Sequence, residues 1–265
     1  MLTGVFQAVK KDGTPYYRSN ITYHSRHISL GSFATEQLAH QAYLDAGQVL
    51  SNYQITIDNI LFSDYTLHFE KLVTLLNFRD HNIYIKNPVY LFRSYFHYYL
   101  TPQEIYKFDI DDLFYFSEHK LLKRGGRLYV NDYGMQVTIL SRYGIRNFAV
   151  AGKDYLFANQ DPYDFRYENI ININPFHGVR RRCKNGMVSY DVYIHIKGDY
   201  HIGNYPCVHE AAIAYNKAAD FARNYGVMKN FPTNYLAELS ADAYAQAYAQ
   251  VEISSKYKKY IQQLF

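Results

Sequence analysis

At 265 residues the chain is long enough for two domains or several small ones. Its 48% hydrophobic and 20% charged residues exclude bulk disorder, collagen and coiled-coil fibres, and its two cysteines exclude a disulfide framework and suggest a reducing compartment. The net charge of +4 says little by itself, but residues 176–235 hold 8 Lys or Arg against 4 Asp or Glu, while residues 1–53 hold 4 against 3 and the last 30 hold 3 against 3. The chain opens MLTGVFQAVKKDG, without the apolar run of a signal peptide. No stretch approaches the roughly 20 apolar residues of a membrane span. A soluble cytoplasmic protein with no membrane partner is expected.

Residues 1–60 and 176–235 carry an internal repeat. Leu30-Gly31-Ser32-Phe33, followed by Ala39, Ala42, Tyr43 and Ala46, answers Ile202-Gly203-Asn204-Tyr205, followed by Ala211, Ala214, Tyr215 and Ala218. The glycine-to-tyrosine spacing is 12 in both copies. Upstream, Gly4-Val5 answers Gly178-Val179, Gly13 answers Gly186, and Tyr17 answers Tyr190. In the second copy the pattern predicts strands over 178–183, 188–196 and 200–205, turns at Asn185-Gly186 and Lys197-Gly198-Asp199, and a helix over 208–225.

By the period of two, Tyr190, Val192, Ile194 and Ile196 share one side of the middle strand and face a helix of small alanines. The other face is left open, with Arg180, Arg182, Tyr193, His195, Lys197 and His201. Such a face suits the major groove of double-stranded DNA, because arginine can bond guanine, lysine can meet phosphate and tyrosine can pack on sugar or a thymine methyl. A merely solvated strand face is the alternative. The first copy presents Phe6, Ala8, Arg18, Asn20, Thr22 and His24 instead. It suits either backbone contact through Arg18 or protein contact through Phe6.

The second copy resembles an AP2/ERF-type DNA-binding domain. The elements that carry the resemblance are Gly178-Val179-Arg180, Ile202-Gly203-Asn204-Tyr205, Glu210-Ala211-Ala212, Ala214-Tyr215, Ala218-Ala219 and Asn230-Phe231-Pro232. Residues 3–53 resemble a divergent second copy. The resemblance implies a sheet in the major groove, with Arg180 and Arg182 as contacts. Tyr190 stands at a usual strand tryptophan, His195 at a usual basic site, and His201 at another tryptophan. The chain has no Trp, so the specificity of plant members does not transfer.

Residues 61–106 are rich in aromatics, including Phe62, Phe69, Tyr90, Phe92, Tyr95, Phe96, Tyr98 and Tyr99, and read as a helical segment around a packed core. A helix is expected over 64–77, and Thr101-Pro102-Gln103-Glu104 reads as a second helix start. An aromatic platform for single strands has the same composition.

Residues 107–175 are similar to the HNH endonuclease domain that accompanies AP2-like domains in phage and mobile-element proteins. At the positions this resemblance makes catalytic stand Ser141, Asp154-Tyr155 and Phe165, so both imidazoles are missing. Asp154, Asn159, Asp161 and Asp164 could hold a hard cation loosely, but without a general base they make no hydrolase site. No catalytic residue, metal or cofactor is therefore expected. Lys120, Lys123, Arg124, Arg127, Arg142 and Arg146 could meet duplex backbone. Cys183 and Cys207 read as ordinary thiols.

Residues 236–265 predict one long helix or two. Tyr244, Tyr248, Tyr257 and Tyr260 are expected to dock on the middle domain, with a homodimer contact as the alternative.

The expected fold class is α+β, with small three-stranded antiparallel sheet-plus-helix modules at both ends, a mixed α/β middle and a helical C-terminus. The expected function is a non-catalytic double-stranded DNA-binding regulator of phage or mobile-element type, in the cytoplasm of a bacterial host. An anti-defence inhibitor of a host nucleic-acid enzyme is the first alternative, and a metal-dependent nuclease the second.

Overall fold

The structure, a computed structural model, describes residues 1–60, 64–147 and 149–264. Phe62 lies outside the described residues. The fold is α+β, with every sheet small. The chain forms two compact units, Met1–Ile139 with Phe157–Ile170, and Leu140–Leu156 with Ile171–Phe265. Residues 107–175, expected as one domain, are divided between them.

The first unit opens with strands β1 (Val5–Val9), β2 (Pro15–Tyr23) and β3 (Arg26–Phe33), an antiparallel meander. Helix α1 (Glu36–Ser51) follows, capped by the Thr35 hydroxyl on the Leu38 N–H at 3.2 Å. Its Ala39, Ala42 and Ala46 are fully buried, and these small side chains let the helix lie close on Val5, Ile28 and Leu30.

A short helix α2 (Ile57–Ile60) precedes α3 (Phe69–His81). Helix α3 begins five residues later than the expected 64: the Thr66 N–H donates to Asp45 Oδ2 at 2.7 Å, the chain bends at Thr66 and Leu67, and His68 caps the helix with extended dihedrals. Its Arg79 is buried and donates to the carbonyls of Val49, Asn52 and Ile55 at 2.8–2.9 Å. One guanidinium thereby satisfies carbonyls at and beyond the end of α1 that have no helical partner.

The aromatic-rich stretch holds a sheet where helix was expected. Strands β4 (Val89–Leu91), β5 (Tyr95–Tyr99) and β6 (Ile105–Asp109) pair antiparallel. Thr101 does cap, its hydroxyl accepting the Gln103 and Glu104 N–H groups, but it closes the β5–β6 loop and starts no helix. The deciding signal is alternation: Phe96, Tyr98, Tyr106 and Phe108 are buried, with polar or half-buried residues between them. Phe96 and Phe108 pack on Phe116 of helix α4 (Leu113–Glu118), and the Phe108–Phe116 ring centroids are 4.3 Å apart. These rings form core, as the packed-core reading requires.

Strands β7 (Leu121–Arg124), β8 (Arg127–Asp132) and β9 (Met135–Thr138) form a further meander, turned at Gly125-Gly126 with both φ positive. Lys120 pairs with Glu70 at 2.9 Å and Lys123 pairs with Glu104. Strands β10 (Tyr155–Phe157) and β11 (Ile170–Asn172) form a two-stranded pair.

The second unit contains β12 (Val179–Lys184), β13 (Met187–His195), β14 (Asp199–Tyr205) and helices α5 (Val208–Asn224), α6 (Ala241–Gln250) and α7 (Ser255–Leu264). Val179, Val192, Ile194 and Ile202 are buried against Ala211, Ala214, Tyr215, Ala218 and Ala222 of α5.

The C-terminal tyrosines dock on this same unit. The expectation of docking on the middle domain is corrected. Asn216 Nδ2 donates to Tyr244 Oη at 3.0 Å, and the Tyr248 hydroxyl donates to Asp220 at 2.9 Å. Tyr257, 1% exposed, donates to the Ala218 carbonyl at 2.8 Å, and Tyr260 stacks on Tyr200 at 4.1 Å. These contacts tie the rings to α5 and β14 of the same chain. Among the described residues, no helix is long and apolar enough to cross a membrane.

The two sheet–helix modules match at the level of single atoms. A Cβ added to Gly4 would lie 2.1 Å from the Tyr43 ring, and one added to Gly178 would lie 2.2 Å from the Tyr215 ring. Both glycines have positive φ, of 78° and 71°. Their carbonyls accept from the matching positions Asn20 N–H and Tyr193 N–H, at 3.0 and 2.8 Å. The internal repeat is therefore a structural repeat.

Candidate nucleic-acid interface

The second sheet has α5 on one face and leaves the other uncovered. Cross-strand partners share a face. The pairs Arg180 with Asp191, Arg182 with Ser189, Asp191 with Asn204, Tyr193 with His201, and His195 with Asp199 therefore all lie on the open side. A β-bulge at Val192/Tyr193 keeps the last two pairs in this phase. The structure thus brings together Arg180, Arg182, Tyr193, His195 and His201. Lys197 lies in the β13–β14 turn, exposed and off the strand face where it was expected. Tyr190 faces the core.

The side chains form one connected network. The Arg180 guanidinium lies 4.3 Å over the Tyr193 ring, and its Nη2 donates to Asp199 Oδ2 at 3.1 Å. His195 Nδ1 meets Asp199 Oδ1 at 2.8 Å. On the other side Arg182 Nη1 stands 3.6 Å from Asp191 Oδ2, and His201 Nε2 meets Asp191 Oδ1 at 3.2 Å. Asn204 Nδ2 donates to Asp191 at 2.9 Å and to the Ser189 hydroxyl at 3.0 Å. The Tyr193 and His201 rings sit 5.1 Å apart, joining the two halves. Lys229 Nζ donates to the His195 carbonyl at 2.8 Å.

Two carboxylates were missing from the expected contact set, although strand alternation places Asp191 beside Tyr193 and His195. Asp199 reaches the face from the end of the turn. With neutral imidazoles, the two carboxylates offset the two guanidiniums, and Lys184, paired with Met187 at the end of β12, leaves the open side one positive charge. Burial alone would raise the Asp191 carboxyl, but bonds from Asn204 and His201, with Arg182 beside them, hold it below the ordinary aspartate value. His195 and then Arg180 lower Asp199 in the same sense.

The first sheet presents a different face. Phe6 is 51% exposed and pairs with Arg18, whose Nη2 and Nε both donate to Tyr16 Oη, at 2.6 and 3.1 Å. Asn20, half-buried, pairs with Ser29, and Thr22 pairs with His27. His24 is not on this face. It occupies the β2–β3 turn at φ 43°, stacks on Tyr23 at 4.0 Å, and its Nδ1 lies 2.9 Å from Asn82 Oδ1.

The groups carried over from the nuclease resemblance have structural partners. Asp154 accepts from Arg146 at 3.2 Å, from Asn174 at 3.1 Å and from the Val150 N–H at 2.9 Å. Asp164 accepts from Arg166 at 2.7 and 2.9 Å and from Asn159 at 3.0 Å. For both, burial raises the carboxyl, but these donors outweigh it and leave each below the ordinary aspartate value. Phe165 is core. His119 stacks on Tyr115 and stands 3.5 Å from Asp132. Among the described residues, no three His, Cys, Asp or Glu side chains stand together as a metal site. Cys183 and Cys207 are exposed free thiols.

No protein family, curated protein or solved structure matches the chain.

Proposed function

We propose that the chain binds double-stranded DNA through the open face of β12–β14 and acts without chemistry of its own, as a phage- or mobile-element-type regulator that occupies a site. The supporting observation is the uncovered face itself, where Arg180, Arg182, Tyr193, His195, His201 and Asn204 converge on one side of a three-stranded sheet. A β element of this kind fits the major groove. The resemblance of the same segment to AP2/ERF-type domains supports the orientation. Arg180 and Arg182 would bond guanine, and Asp191 and Asp199 would accept from cytosine amino groups. Asp191 and Asp199 offset most of the positive charge of Arg180, Arg182 and Lys184, so a shallow salt dependence is expected.

The test is selection from a randomised duplex library at about 150 mM salt. An enriched motif that Arg180→Ala abolishes supports the proposal. Absence of any enriched motif rejects sequence-specific reading.

The first sheet favours a second reading, an interaction protein such as an inhibitor of a host nucleic-acid enzyme. Phe6 is half-exposed on that sheet, and the face around it carries no carboxylate. Capture of a specific host protein that Phe6→Ala disrupts, by a chain that enriches no DNA motif, would favour this reading.

A further inference from the structure

On the open face, each carboxylate is shared between an arginine and a histidine: Asp199 between Arg180 and His195, and Asp191 between Arg182 and His201, with Asn204 as a further donor. The charged and titratable groups around the two imidazoles come from every strand. They are Arg180 and Arg182 from β12, Asp191 and Tyr193 from β13, and Asp199 from β14. Lys197 lies in the adjoining turn, and Lys229 caps the His195 carbonyl. Helix α5 packs on the opposite side of the sheet.

A neutral imidazole that gives its one N–H to a carboxylate keeps its second nitrogen as an acceptor. The protonated ring donates from both. Imidazole is also the side chain that ordinarily changes charge between pH 5 and 8. With both rings neutral, the face holds Arg180, Arg182 and, at its edge, Lys184 against two aspartates. With both protonated, it gains two positive charges in the same area.

Resting on the DNA-binding reading of this face, we propose that His195 and His201 gate it. Duplex DNA is held more tightly when both rings are protonated than when they are neutral. In the neutral state a phosphate that approaches Arg180 or Arg182 must displace a carboxylate, which is then left beside a polyanion. In the protonated state each imidazolium holds its carboxylate, and each arginine is released to phosphate or base. The second nitrogen of each ring adds an N–H donor toward the DNA. Binding then takes up as many as two protons, and affinity rises as pH falls.

The measurement is fluorescence anisotropy of a labelled random-sequence 20-bp duplex titrated with the full chain at pH 5.5, 6.5 and 7.5, at about 100 mM salt. The expected result is binding about tenfold or more tighter at pH 5.5 than at pH 7.5. This gain should be lost in H195Q/H201Q, whose side chains cannot acquire charge. A second variant, D191N/D199N, keeps acceptors for the arginines while removing the competing charge. It should bind at pH 7.5 as the unmodified chain does at pH 5.5. Circular dichroism confirms that both variants fold. Equal affinity at pH 5.5 and 7.5 overturns the gate and leaves the DNA reading standing. So does a pH effect that survives in H195Q/H201Q, or a D191N/D199N variant that binds no better at pH 7.5. No binding of this random-sequence duplex by any of the three proteins at any pH overturns the gate; the DNA reading falls with it only if the library selection also enriches no motif.

Discussion

The first and second sheet–helix modules share a backbone and differ in the chemistry of the face they leave open. Both seat a positive-φ glycine under a helix tyrosine, and both bury alanines against valine and isoleucine. On the open side, however, Arg18 replaces Asp191, Phe6 replaces Arg180 and Ala8 replaces Arg182. The helix side is constrained by packing, where one methylene is felt. The open side is constrained only by what it must touch, so two copies of one architecture can carry a polar, ion-paired surface and a half-apolar one.

The comparison breaks most completely at the glycines. Gly178→Ala forces a side chain into the left-handed region, 2.2 Å from the Tyr215 ring and 2.4 Å from the Tyr193 carbonyl oxygen. At Gly4 the three atoms nearest an added Cβ all belong to the Tyr43 ring, the first at 2.1 Å. A ring can swing aside more easily than a strand carbonyl. Gly178→Ala should cost about 3 kcal/mol or more in urea unfolding, and Gly4→Ala somewhat less. Equal stability of either variant and the parent chain would mean that the glycines do not do the same job.

The arginines come next. Arg180→Ala and Arg182→Ala should each weaken specific duplex binding by about 1–3 kcal/mol, measured on the selected motif. Arg18→Ala, on the first sheet, should have a smaller effect that is uniform across sequences, because its guanidinium is already committed to Tyr16. An Arg18→Ala loss as large as that at Arg180 would mean that the first sheet contacts DNA as strongly as the second.

The repeat, the strand–turn–strand–helix layout and the helix-facing residues were legible because a period of two and a spacing of 12 survive in the residues themselves. Contacts set by partners distant in sequence were not legible. Nothing local to Thr101 says that β6 will pair with β5, and helix-cap chemistry serves a strand loop equally well. Nothing in 244–260 says that its tyrosines meet Asp220, Ala218 and Tyr200. In the candidate site, Arg180, Arg182, Tyr193, His195 and His201 were readable from alternation. The neutralising role of Asp199 was not, since it depends on a turn folding back beside His195.

A smaller difference lies under the first sheet. Ser19 takes the place that Val192 holds in the second, opposite Val5 as Val192 is opposite Val179. It is fully buried, and its hydroxyl has no hydrogen-bond partner among the described residues. A buried hydroxyl without a partner costs about 1–3 kcal/mol. Ser19→Ala should therefore stabilise the chain by about 1 kcal/mol, the net after the loss of some packing. Val192→Ser should destabilise by about 2–4 kcal/mol, since it creates both a void and an unbonded hydroxyl. A destabilising Ser19→Ala would show that the hydroxyl is bonded in solution.

The smallest expected effect is on acid stability, and it belongs to the second module alone. Asp191 is held below its ordinary value because the bonds from Asn204 and His201, with Arg182 nearby, outweigh its burial. A carboxyl depressed in the folded state contributes stability that is present above its unfolded value, near 3.9, and is lost as pH falls through the lower folded value. The sign follows from proton counting: in that window the unfolded chain binds more protons, so acid favours unfolding. Asp191→Asn removes the titration. The variant should be less stable than the parent at neutral pH and should lose less stability between about pH 5 and pH 2. Arg18 occupies the corresponding place in the first module and has no proton to gain there, so Arg18→Gln should leave that acid slope as it is. If Asp191→Asn leaves the acid slope unchanged, the network on the open face contributes nothing to folding. Its carboxylates would then be arranged for the partner the face meets.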